Sequence, residues 1–456
     1  MSRQLSDFDH NLPAGFAGRE RRDALTGKVL WTFVHRSGFQ VKVLPRPGFS
    51  RRFAAVTVPF GSISTGLTDG ENQWQIPAGS AHFLEHCLFS RDEQGGLLGR
   101  MSALGASANA YTTHSHTLYY FSTVHDFAEG LGIYLDAIMN PRLDNERIDA
   151  ERPIILAELD QYHDDPDSRS YMRLVESLYH CHPVRLDIGG TPESVAAITP
   201  EDLQRAWSLF YHPGRLTMTL AGDFDVLPIL EMLDERLSRL TAGETSRQAS
   251  ILLPDEPSAL LERQARLSMD VTTSSFLVGI KDPDLLPATP LTGQDLVARR
   301  RAARLLFDTL LSPVSQLYET LYASGLINDS FGFHYACEES FAFLACGGES
   351  DTPEDSAAAV LEGLVQAFRQ GIDPMVFESQ KRAAAGDFVR ALDSIEHSGM
   401  VQAQCSLDGV DLFDYPAIYD KMDHDTASRM MSFLADPANY ATVILTPLEV
   451  LDNHER

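Results

Sequence analysis

The chain has 456 residues, of which 44% are hydrophobic and 22% charged, a length and composition suited to two or more globular domains. Lys and Arg total 37 against 64 Asp and Glu, a net charge of −27, and so acidic a surface repels phosphate backbones and argues against nucleic-acid binding. No run of 18 apolar residues occurs, so no membrane-spanning helix is expected.

In chain order, residues 1–28 read as a polar, irregular N-terminal arm. From Val29 three short β-branched runs follow, KVLWTFVH, QVKVLPRP and FAAVTVPFGS, each closed by turn residues as adjacent strands are. Helical spacing covers Ala81–Phe89 and Leu97–Leu104, the second ended by Gly105. ANAYTTHSHTLYYFSTV reads as a strand hairpin, and Phe127–Met139 and Asp144–Tyr162 as helices. Pro153 suits only the first turn of a helix, so a break after Arg152 is expected. Leu216–Ala221 is a strand and Val226–Leu240 a helix.

Residues 241–257 read as a linker, after which the order of elements recurs in residues 258–456. SSFLVGIKD stands where FAAVTVPFGS stood, INDSFGFHYACEESFAFLACGG answers the hairpin, and ATVILTP answers LTMTLA. The pattern predicts an α+β protein of two homologous sandwich-like domains, 29–240 and 258–456, each a sheet with helices on one side, arranged as half a clamshell.

The sharpest chemical signal is His82-Phe83-Leu84-Glu85-His86. Positions i and i+4 share one helix face, so both imidazoles can reach one metal ion, with Glu85 beside it. A random His-x-x-acid-His would occur roughly 0.07 times in this composition, so the motif by itself is suggestive. Phe83, Leu84, Cys87, Leu88 and Phe89 mark the helix as buried, and buried imidazoles need partners. A catalytic zinc needs a third protein ligand. Glu151, Glu158 and Asp160 lie in the helix that follows; Glu151 and Glu158, seven apart, share a face, and from spacing alone Glu158 is equally a structural acid.

GSAHFLEHCLF, LGASANAYTTHSHTLYY, ERPIILAEL and FYHPGRLTMTLAGDFD, in that order, resemble the pitrilysin, insulinase and mitochondrial processing peptidase family, in its short bacterial two-domain form. The resemblance implies His82, His86 and Glu158 as Zn2+ ligands, Glu85 as general base and Glu151 as an acid orienting a ligand from behind. It implies that Asn109 and Ala110 belong to the strand that pairs with a peptide substrate. The implied activity is zinc-dependent endopeptidase action on unfolded peptides or precursors. The alternatives are a non-catalytic scaffold subunit and a hydrolase of non-peptide amides. Relatives bring an Arg and a Tyr from the second repeat to the oxyanion; here Leu321 or Tyr322 and Asn328 stand there. That departure favours a heterodimer with a homologous, metal-free partner.

The opening residues lack the apolar core of a signal peptide, and Cys87, Cys181, Cys337, Cys346 and Cys405 are scattered, so reduced, buried thiols in a cytoplasmic protein are expected. His180-Cys181-His182 reads as a packing or turn element, and His114 and His116 as surface residues.

Overall fold

The computed structural model describes residues 11–89, 96–240 and 249–448; the start of the expected arm, the end of the second repeat and residues 241–248 of the expected linker lie outside them. Two compact units share the chain. Residues 1–159, 187–253 and 387–414 make the first, and 160–186, 254–386 and 415–456 the second.

The first unit holds β1 (Phe16–Arg22), β2 (Val29–His35), β3 (Gln40–Pro45), β4 (Arg52–Val58), β5 (Gly66–Thr68), β6 (Gln73–Gln75), β7 (Ser107–Thr112), β8 (Thr117–Thr123), β9 (Thr217–Gly222) and β10 (Ser250–Leu252). Seven form one sheet in the order β1-β2-β3-β9-β4-β8-β7, which leaves β7 at an edge; β10-β5-β6 is a small second sheet.

Strand alternation gives the large sheet two buried faces. Ala54, Val56 and Val58 of β4 join Val41, Val43, Met218 and Leu220 in a core completed by Phe83 and Leu84 and by Leu131, Tyr134 and Leu135 of two helices. Each Val, Leu, Met or Phe among them contributes about 1.5–3 kcal/mol through burial. On the other face lies the helix Ile395–Leu407, where a side chain at Gly399 would begin 2.4 Å from the Phe53 ring. Lys42, also on that face, donates to Asp411 at 2.6 Å. Helices therefore cover both faces of this sheet, where the sequence suggested one.

The second unit holds β11 (Gln264–Met269), β12 (Ser275–Lys281), β13 (Gly332–Glu338), β14 (Phe341–Glu349) and β15 (Tyr440–Pro447), ordered β11-β15-β12-β14-β13. This repeats β3-β9-β4-β8-β7, with the first pair parallel and the others antiparallel in both sheets. The helix Pro166–Leu178 packs on it, with Leu174 filling the space left by Gly279 and Tyr171 6.0 Å from the Phe343 ring.

Several expectations are corrected. Residues 16–22 are not irregular but form β1, paired with β2 from Phe16↔His35 to Arg22↔Val29; the charged FAGRERR hides an edge strand whose polar side chains face solvent. Within 241–257, Ser250–Leu252 pairs with β5 and Glu256 is buried, so that stretch is fixed at both points. The helix Asn145–Asp164 runs unbroken through Pro153. Ile148, Ile155 and Leu159 anchor one side of it, and Arg152 holds the carbonyls of Val195 and Ile198, so packing outweighs the one lost hydrogen bond. Cys181 is exposed, while the other four cysteines are buried.

The trio His180–His182 is a turn built around Glu256. That carboxylate accepts the backbone N–H groups of His180, Cys181 and His182 at 2.9, 2.8 and 2.8 Å and the Lys281 ammonium at 2.8 Å. Burial works against the Glu256 charge, but these donors outweigh it and hold the carboxyl down at about 2. A depressed carboxyl stabilises the fold above its ordinary pKa and loses that effect as pH falls through its folded value. Glu256→Gln should cost about 3 kcal/mol at neutral pH in urea unfolding, and the gap from wild type should shrink between about pH 4.5 and 2.

Candidate metal centre

The helix Ser80–Phe89 begins at Gly79, whose φ of +86° suits glycine. A Cβ there would stand 2.2 Å from the Gly189 carbonyl, so two backbones meet closely at the helix start. Phe83, Leu84, Cys87 and Leu88 enter the core. Helical geometry then turns His82, Glu85 and His86 to the opposite side. Across from them runs Asn145–Asp164, whose buried Ile148, Ile155 and Leu159 set the rotation that presents Glu151 and Glu158.

The structure brings one donor atom each from His82, His86 and Glu158 within 4.8 Å of one another. His86 Nε2 is 3.4 Å and His82 Nε2 3.8 Å from Glu158 Oε2. Donors bound tetrahedrally at 2.0–2.2 Å stand about 3.3–3.6 Å apart, so the set fits a zinc-sized cation. His82 Nδ1 is buried with no hydrogen-bond partner among the described residues, so hydrogen bonding there does not explain why this imidazole is held inside. Glu151, 7% exposed, meets the other nitrogen of His86, Nδ1, at 3.4 Å. A carboxylate behind a ligand imidazole fixes its tautomer and orientation.

Glu85 lies among these groups, and its Oε2 accepts from Thr112 Oγ1 at 2.5 Å. Thr112 is 3.2 Å from Thr117 Oγ1, which donates to the Phe60 carbonyl at 2.9 Å. The threonine thus ties Glu85 to the β7–β8 hairpin. Its place in that hairpin was legible in the sequence, its role was not; the signal is that Ala110 and Thr112, two apart, share a strand face. Burial raises the Glu85 carboxyl above its ordinary range, opposed by the Thr112 hydrogen bond and by His86. Burial, with His86 adjacent, lowers His82 to about 4. His86 is also pressed downward by burial, but Glu151 and Glu158 outweigh this and lift it to about 9.

Asn109 and Ala110 lie on the edge strand β7, beyond the ligand cluster. Asn109 is exposed; its side-chain oxygen accepts the Ala110 N–H at 2.8 Å, and its carbonyl accepts from Tyr134 at 2.7 Å. His114 and His116 are not surface residues. His116 is buried, and burial lowers His114 to about 4 beside Ser62 Oγ at 3.0 Å. Leu321, Tyr322 and Asn328 belong to the second unit, where Leu321 is buried and Asn328 donates to the Glu349 carbonyl at 3.3 Å.

Residues 55–192 match the family model described as Insulinase (Peptidase family M16), and 197–384 match that of the Peptidase M16 inactive domain. The zinc protease YmfH of Bacillus subtilis, described as uncharacterized, is 30% identical over 390 residues, which are 85% of this chain and 89% of that protein. The chain belongs to peptidase family M16, whose relatives carry the name zinc protease. An M16-like peptidase structure from Alicyclobacillus acidocaldarius superimposes with a TM-score of 0.84 at 29% identity, covering 96% of this chain and 100% of that one. Pitrilysin shares the fold, with a TM-score of 0.71 at 16% identity; the match covers 95% of this chain and 47% of pitrilysin. Among the described residues no helix is long and apolar enough to cross a membrane.

The purified chain should bind about one zinc ion by metal analysis, and His82→Ala or His86→Ala should abolish that binding. Glu151→Gln should weaken zinc affinity by about tenfold or more in a competition titration, without removing a ligand.

Proposed function

We propose that the chain is a zinc-dependent endopeptidase that cleaves unfolded peptides or peptide precursors in the cytoplasm. The observation that carries the proposal is the convergence of His82, His86 and Glu158 with the Glu85 carboxylate among them. His82, His86 and Glu158 would hold the ion, which when bound supplies a Lewis acid for the scissile carbonyl and lowers the pKa of its water.

The chain's own residues do the rest. Thr112 occupies Glu85 Oε2, so Oε1 is the oxygen left to take the proton of the attacking water and pass it to the leaving amine. Burial favours this transfer, because a carboxyl raised above its ordinary range is a stronger base toward the water's proton. Glu151 holds the His86 ring in place. The edge strand β7 offers backbone groups for a peptide to add as a further strand, which asks little of its side chains. The Asn109 side chain turns away from the Ala110 N–H as that strand docks.

Glu85→Gln should lose turnover of a quenched peptide by about a thousandfold or more while its zinc content stays at the wild-type level; unchanged turnover refutes the assignment. Thr112→Val should lower kcat by about tenfold with little change in KM. A chelator should abolish wild-type turnover, and added zinc should restore it.

The second-unit segment supports pairing with a homologous, metal-free subunit. Oxyanion stabilisation needs positioned donors; Leu321 or Tyr322, neither a guanidinium, stands where relatives carry an Arg, and Asn328, engaged with Glu349, stands where they carry a Tyr. The chain alone should therefore show weak activity that rises when the partner co-purified from its native source is added. Full activity of the isolated chain contradicts the pairing but leaves the zinc chemistry intact.

A further inference from the structure

The first unit contains a second cavity, of about 610 Å³, at the other end of the large sheet. It opens among the start of β2, the end of β3, the start of β4, the residues after β9, and Leu392–Asp393. β4 runs from Arg52 at this cavity to Val58, which pairs with Thr117 beside Thr112. Six residue steps of extended chain put the cavity roughly 20 Å from the metal centre. Its volume is in the range of small-molecule sites.

Trp31, Val43, Phe49 and Phe224 give the cavity an apolar wall. The charged groups around it divide into those that are matched and those that are not. Lys28 is matched, donating to Asp393 at 2.8 Å and to the Leu392 carbonyl at 2.7 Å. Arg22 is paired with Glu20 at 3.1 Å. Asp223 accepts the Gly48 N–H at 2.8 Å.

Arg46 is different. It is 6% exposed, and its Nε has no hydrogen-bond partner among the described residues. Its other contacts, to the carbonyls of Pro45 and Leu392 and to Ser398 Oγ, are 3.4, 3.3 and 3.4 Å long, all to neutral oxygens. Arg52 likewise bonds only carbonyls, those of Asp223 and Val124, at 2.7 and 2.5 Å. Among the described residues neither guanidinium has a carboxylate at hydrogen-bonding distance. A buried guanidinium without an anion is costly, and burial lowers the Arg46 pKa even with Asp393 nearby. Such a group is matched when an anion enters and accepts from it.

We infer that this cavity binds a carboxylate joined to an apolar body, the chemistry of a peptide's C-terminal hydrophobic residue or of a free hydrophobic amino acid, with Arg46 holding the carboxylate and the Trp31–Phe49–Phe224 wall holding the side chain. Asp223, Asp225 and Asp393 line the same space and set its charge limit. Arg22, Lys28, Arg46 and Arg52 outnumber these three carboxylates by one charge, so a single negative charge balances the lining and a phosphate dianion exceeds it. The site is independent of the metal-centre reading, because none of its residues touches His82, His86 or Glu158.

Titration calorimetry on the full chain, with and without zinc, tests the inference. N-acetyl-L-phenylalanine should bind at one site with a Kd below about 1 mM, equally in both metal states. Its C-terminal amide should bind at least about tenfold more weakly, and so should inorganic phosphate. Free L-phenylalanine binding as tightly as the acetyl compound identifies the amino-acid source, and weaker binding identifies the peptide terminus. Arg46→Gln should lower affinity by at least about tenfold. Phe49→Asp, at a half-exposed wall position that the core does not need, should do the same and covers the case in which the Arg46 variant fails to fold. No saturation by the acetyl compound, equal binding of the amide, tighter binding of phosphate, binding only in the zinc-loaded protein, or unaltered binding in Phe49→Asp overturns the proposal.

Discussion

Two imidazoles and a carboxylate from separate helices can share a cation only while those helices keep a fixed distance and rotation, and here the apolar core beneath them enforces both. Phe83, Leu84, Cys87 and Leu88 are drawn into that core, which leaves His82, Glu85 and His86 no direction but the opposite face. Ile148, Ile155 and Leu159 fix the rotation of the facing helix, which turns the adjacent stripe of Glu151 and Glu158 toward those imidazoles. Gly79 and Gly190, each at positive φ, let two backbones meet where a Cβ on either would collide with the other segment. Donor atoms placed by a close-packed interior vary little, and a metal site with a reactive carboxylate beside it requires that.

The two sheets show what the same topology does with different side chains. In the second unit, Asp282 follows β12, Arg299 lies on the helix Gly293–Leu311, and Tyr335 lies on β13. Arg299 reaches Asp282 at 2.5 Å through Nη2 and 2.9 Å through Nε, and Tyr335 donates to the same carboxylate at 2.6 Å. The first unit places Glu85 and Thr112 on the corresponding helix and strand. At this position the second unit thus satisfies the buried Asp282 and Arg299 charges within the protein. The first unit leaves His82 Nδ1 without a partner among the described residues and holds the Glu85 carboxylate beside the ligand cluster. A satisfied ion pair is inert, whereas two imidazoles and a carboxylate converging at ligand spacing suit a cation.

Much of this was legible from residue patterns. The period-2 runs of β2, β3, β4, β8 and β12 appear where alternation predicts them, because strands buried on one or both faces must show it. β1 was hidden, since FAGRERR at a sheet edge carries polar side chains on solvated positions and reads as irregular. Pro153 misled in the opposite direction, because a local rule about a lost N–H cannot register the Arg152 contacts and the buried isoleucines that keep the helix whole. His114 and His116 lie on a polar hairpin, and only the packing around it buries His116 and half-buries His114.

The residue order by itself determined the class of fold, the internal repeat and the pairing of His82 with His86, because periodicity and i,i+4 spacing are properties of neighbouring residues. The tertiary structure alone decided that Glu158 meets those imidazoles, that Glu151 stands behind His86 and that Thr112 grips Glu85, since these contacts join residues 27 to 76 positions apart. It also decided that residues 160–186 and 387–414 pack with the units they do. Leu174 needs the gap at Gly279, and Phe53 needs the gap at Gly399. The shape of such a gap depends on every strand around it, and no local window of sequence contains that information.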